Sequence, residues 1–168
     1  MIVLLRLIHI LAGVLWVGAA IFINLLLFPA LKGDPATMGK VAASLTSRGM
    51  HKLMGMMAIL TIVAGYWLAW IMSNGDFGAY ARGPGRIFTM AGGVATLAFL
   101  LGMIFARPAG IKAGEIGAAL AAATDPAEKT RLHGEMVAIQ KKMAFITMTV
   151  VTLLVIAVAG MAVARYVA

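Results

Sequence analysis

Residues 7–28, LIHILAGVLWVGAAIFINLLLF, carry no formally charged side chain between Arg6 and Lys32. As a helix rising about 1.5 Å per residue they cover roughly 33 Å, enough to cross a hydrocarbon core of about 30 Å once with modest tilt. At about 100° per residue, His9, Gly13, Trp16, Ala20 and Asn24 fall within roughly 80° of one another. That polar and small stripe is predicted to meet other helices, leaving Leu, Ile, Val and Phe for lipid. Gly18-Ala19-Ala20 also looks like a signal-peptide cleavage site. The apolar run is longer than the roughly 7 to 15 residues of a signal core, however, and only Arg6 precedes it, so a retained span is the expectation.

The whole chain agrees with this reading. Its 168 residues are 62% hydrophobic and its mean hydropathy is +0.99, against roughly 45 to 50% apolar usage in soluble domains. An integral membrane protein is expected. The charge of +8 does not indicate nucleic acid, because the bases bracket apolar runs instead of clustering on a soluble face. The absence of cysteine excludes disulfides, thiolate metal sites and cysteine nucleophiles. No Gly-rich phosphate loop and no zinc spacing occurs.

Four spans are predicted, at about 7–28, 53–72, 87–106 and 143–164, as an all-α four-helix bundle in a single domain over 1–168. Pro29 and Gly33 should end the first helix, and Asp34-Pro35 should cap a new one, amphipathic at first and running on into the second span. Tyr66, Trp67 and Trp70 suit an aromatic belt. His51, Gly55, Ala58, Gly65 and Ala69 share one face of that span, where small residues permit close approach. Residues 74–85 read as a tight connection, and Arg107-Pro108 as the end of the third span. Residues 109–142 read as a helical hairpin broken at Thr124-Asp125-Pro126, its second arm running on into the fourth span.

Ten bases flank the first and third connections: Lys32, Lys40, Arg48, Lys52, Arg107, Lys112, Lys129, Arg131, Lys141 and Lys142. Only Arg6, Arg82, Arg86 and Arg165 lie at the other side. The positive-inside rule then predicts a bacterial inner-membrane protein with the hairpin in the cytoplasm and both termini outside.

His9 is the ionisable side chain that falls inside a span, and such groups mark function by default because they need a partner. One reading makes it an axial ligand to haem b. The other makes it an interfacial histidine hydrogen-bonded to a neighbouring helix. A second axial ligand would come from outer-side residues such as Met72, Met90 or Met161, or the iron would be five-coordinate. His51 is expected about 30 Å away, across the membrane, and His133 in the cytoplasmic hairpin. Met50, His51, Met54 and Met57 form a second constellation, whose thioethers suit Cu(I). Methionine is equally an ordinary filler of apolar cores. Asn24 and Thr61, Thr89, Thr96 and Thr147 are expected to make structural hydrogen bonds. The absence of acidic residues within the spans argues against a carboxylate proton relay. Lys40, Arg48, Lys52, Lys141 and Lys142 are placed to meet anionic head groups.

The run Leu4-Leu5-Arg6-Leu7-Ile8-His9-Ile10-Leu11-Ala12-Gly13-Val14-Leu15-Trp16-Val17-Gly18, followed by Phe28-Pro29-Ala30-Leu31, resembles the first helix of small bacterial membrane proteins of the copper resistance protein D-like group. J-type protoporphyrinogen oxidases and the membrane domains of some urate-oxidising proteins look similar there. The resemblance implies haem b on His9. It departs from the J-type oxidases on the third span, where Arg86 to Arg107 encloses no histidine or lysine. Three functional expectations follow: a haem-b protein with an electron-transfer or oxidoreductase role, a non-catalytic accessory subunit of a larger membrane complex or homo-oligomer, and a copper-handling protein.

Overall fold

The structure, a computed structural model, describes residues 1–31 and 33–167. Lys32, one of the first-connection bases, and Ala168 lie outside the described residues. Everything regular among them is helical: α1 (Ile2–Ala30), α2 (Pro35–Ser47), α3 (Met50–Met72), α4 (Phe77–Arg82), α5 (Arg86–Ala122) and α6 (Pro126–Val167). α1, α3, α5 and α6 are each long and apolar enough to cross a membrane. Crossing about 30 Å takes about 20 residues, so α5 and α6, with 37 and 42 residues, extend well beyond the hydrocarbon. The charged part of α6, residues 126–142, lies outside it.

The helices pack as two antiparallel pairs, α1 with α3 and α5 with α6. Both pairs share one core, made of Trp16 and Ala20 from α1, Ala58 from α3, Ala98 from α5, and Val151 and Leu154 from α6. Trp16 meets Phe99 edge to face, ring centroids 6.4 Å apart. Where the α5–α6 pair comes closest, a Cβ on Gly160 would stand 3.1 Å from that of Ala91. Small residues let backbones approach in this way, and packing replaces the hydrophobic drive that lipid removes.

The stripe predicted on α1 is the face that packs. Ala12, Trp16 and Ala20 are buried, and His9 and Gly13 are half-buried. Asn24 turns back on its own helix, donating from Nδ2 to the Ala20 carbonyl at 2.9 Å.

Two boundaries differ from expectation. Arg107-Pro108 does not end the third long helix, which runs on to Ala122 through a wider π-helical turn at Gly102–Ala106. A second such turn, Phe22–Leu27, admits Pro29 into α1, which ends at Ala30, between Pro29 and Gly33 as expected. A proline lacks an N–H and its ring clashes with the carbonyl four residues back, here Leu25 and Ile104. Both carbonyls lie inside the π turns, which open the helix enough to admit the ring. The second difference is at Gly49. Its φ of +76° breaks the amphipathic α2, capped by Asp34 on the Thr37 N–H at 3.1 Å, from the second span. Residues 74–85 also hold the short helix α4, capped by Asp76 on the Ala79 N–H at 2.8 Å. The second arm of the 109–142 segment and the fourth span are one continuous helix, α6.

Candidate functional site

The local geometry around His9 follows from three small features of α3. His9 Nδ1 lies 2.7 Å from the Thr61 carbonyl oxygen. A carbonyl only accepts, so Nδ1 carries a proton and donates it, and Nε2 is the acceptor in that tautomer of the imidazole. The ring rests on Gly65, where a Cβ would stand 2.7 Å from His9 Cε1, so any larger residue would displace it. Gly13, one turn along α1, packs on the Thr61 methyl, 3.4 Å from its own Cβ position. The Thr61 hydroxyl is satisfied within α3 by the Met57 carbonyl at 2.7 Å, so its backbone oxygen rather than its side chain receives the histidine.

Nε2 has no hydrogen-bond partner among the described residues, and no buried side-chain nitrogen there lacks one. Nε2 therefore opens onto the molecular surface. Gly65 stands seven residues, about 10 Å, from the end of α3 at Met72, and His9 one turn inside Arg6 on α1, so the ring lies within the apolar stretch of both helices. An acceptor without a partner at that depth is costly, which makes Nε2 a site in want of a donor or a metal. Metal-bound histidines are commonly held in this manner, one nitrogen fixed by a carbonyl and the other presented to the ion.

Of the methionines expected to complete such a site, Met72 and Met90 are exposed. Met161 packs at the α5–α6 contact, its methyl 4.0 Å from a Cβ placed on Gly92. The interior between the four long helices is filled by Trp16, Phe99 and Leu154, and cavities of about 300 and 200 Å³ lie elsewhere, lined from residues 120–133 and 101–149. A group bound through His9 Nε2 would therefore stand at the surface of the α1–α3 pair and not inside the molecule.

His51 is nearer to His9 than the membrane thickness. His9 bonds to Thr61, ten residues up the same helix, which corresponds to about 15 Å of rise instead of about 30 Å. The two imidazoles are still too far apart to share one ion. The methionine constellation is divided. Met54 and Met57 pack against the core, whereas His51 is exposed and meets Thr46 of α2 at 3.5 Å. Among the described residues no three His, Cys, Asp or Glu side chains stand together as a metal site. His133 lies on the exposed part of α6.

Thr89, Thr96 and Thr147 donate to carbonyls of their own helices, as membrane threonines do; Thr96 also meets the Tyr66 hydroxyl at 3.2 Å across α3 and α5. The residues that sequence reasoning did not join to His9 are Thr61 and Gly65. Their role is carried by a carbonyl and by a missing side chain, neither of which has a sequence signature.

Compared with models of known protein families, with curated proteins and with solved structures, the chain matches none.

Proposed function

We propose that this protein is an inner-membrane haem-b protein in which His9 supplies an axial ligand through Nε2, serving electron transfer. The observation that carries this reading is the half-buried imidazole whose Nδ1–H is committed to Thr61 and whose second nitrogen is unpaired at membrane depth. The resemblance of residues 4–18 to the first helix of copper resistance protein D-like proteins points the same way. Haem b would supply an iron centre that cycles by one electron. In this reading His9 binds and orients, Thr61 holds the ring and its tautomer, and Gly65 leaves room for it.

The topology proposed with it is a four-helix bundle whose first and third connections face the cytoplasm, the latter as a helical hairpin, with both termini outside. Purified wild type should show a Soret band with reducible α and β bands, lost in His9→Ala at unchanged helix content. A colourless preparation from haem-replete cells would overturn the haem assignment, and a C-terminal reporter active in the cytosol would overturn the orientation.

A second reading is a non-catalytic subunit of a larger membrane complex. It is favoured by the closed interior between the four long helices, filled by Trp16, Phe99 and Leu154. It predicts a colourless protein that co-purifies in mild detergent with one defined partner.

A further inference from the structure

The π turn forced by Pro108 sits beside a cavity of about 200 Å³ between α5 and α6, lined by Leu101, Phe105, Phe145, Ile146 and Thr149. Its one side-chain hydroxyl, on Thr149, is already donated to the Phe145 carbonyl at 3.0 Å, so the lining offers a ligand only apolar contact. Phe145 is 76% exposed, so the cavity opens to the lipid side.

Bases stand directly below. Lys141 and Lys142 precede Phe145 and Ile146 by four residues, one helical turn along the same faces of α6. Gly110 packs on the methyl of Met143 and Gly117 on that of Met136, a register that sets Lys112 of α5 level with Lys141. All three lysines are exposed. The ion pairs among the described residues join Arg131 to Glu128 and Glu135, further out on α6, so no carboxylate neutralises the three lysines. Glu115, one turn beyond Lys112, is the nearest acid along α5.

An apolar slot at the edge of the hydrocarbon above three unpaired bases matches one occupant. We infer that this end of the α5–α6 pair is a binding site for an anionic phospholipid, with an acyl chain in the slot and the phosphate on Lys112, Lys141 and Lys142. A base near an anionic surface contributes about fivefold in binding, so the three together give a preference on the order of a hundredfold over a zwitterionic lipid. The inference is independent of the haem reading.

The test measures lipid retained by the full chain, by native mass spectrometry after exchange into nanodiscs of equimolar phosphatidylglycerol and phosphatidylcholine. Wild type should retain phosphatidylglycerol selectively. Lys112→Gln, Lys141→Gln and Lys142→Gln, all at exposed positions, should each lower the preference about fivefold. Thr149→Phe, which fills the slot and leaves the lysines intact, should lower retention of both lipids. Equal retention of the two lipids by wild type, an undiminished preference in the triple glutamine variant, or unaltered retention in Thr149→Phe would each overturn the site. So would displacement of the lipid by millimolar inorganic phosphate, which would show a simple anion site. Monodisperse elution and wild-type helix content establish that each variant is folded.

Discussion

The two helix pairs are held together by different chemistry. α1 and α3 are joined by a hydrogen bond from His9 to the Thr61 carbonyl, with Gly65 and Gly13 cleared around it. α5 and α6 have no side-chain hydrogen bond between them among the described residues. Every threonine of α6 bonds within its own helix, and contact rests on Ala91 with Gly160, Ala98 with Leu154, and glycines under methionine methyls. In lipid either device serves, because apolar surface gains little by leaving hydrocarbon and close packing or a satisfied polar group must supply the attraction. The polar device has a consequence the apolar one lacks: it fixes one imidazole nitrogen and leaves the other on display.

Breaking the residue common to both pairs should cost most. Trp16→Ala opens a hole where α1, α3, α5 and α6 meet, and at about 24 cal/mol per Å³ of residual cavity the loss should be about 3 kcal/mol, read by unfolding in mixed SDS micelles. Gly65→Ala should follow at about 2 kcal/mol, since its methyl pushes the ring off Thr61 and adds overpacking to the lost bond. Gly160→Ala, on the apolar pair, needs only a few tenths of an ångström from Ala91 and should cost about 1 kcal/mol. His9→Ala removes the bond without strain and should cost about 0.6 kcal/mol, the average for interhelical hydrogen bonds in membranes. A cost for Gly160→Ala above that for Gly65→Ala would invert the comparison.

The smallest effect belongs to the exposed end of α6. Arg131 donates to Glu128 and to Glu135, and the bond from Arg131 holds the Glu128 carboxyl below its usual range. A lowered carboxylate contributes stability that is present above the ordinary glutamate value and is lost as pH falls through the lowered one. Amide protection over residues 126–135, taken relative to the intrinsic exchange rate at each pH, should therefore fall in acid, and Glu128→Gln should flatten that dependence. Residues 143–164 should be insensitive to it.

Much of this was legible in the residues. The uncharged run from Leu7 to Phe28 announced a span, and the His9 to Asn24 stripe marked its packing face, because only the non-lipid side needs small or polar groups. The turn at Thr124-Asp125-Pro126 was visible in its capping chemistry. Arg107-Pro108 misled, because in an apolar helix a proline can be absorbed by one wide turn, and hydropathy does not register the difference. Gly49 was hidden for the opposite reason: the amphipathic pattern continues across it while the backbone turns left-handed. The depth of His9 depended on the vertical offset between α1 and α3, which no periodicity within one helix encodes.

The unbroken course of α6 has a mechanical consequence. Its 42 residues make a rod about 63 Å long, of which roughly half is immersed in lipid. A rod without a hinge conveys torsion from end to end. The rotational setting of the Glu128–Arg131–Glu135 tip is therefore tied to that of Val151 and Leu154, which share a core with Trp16 of the helix that carries His9.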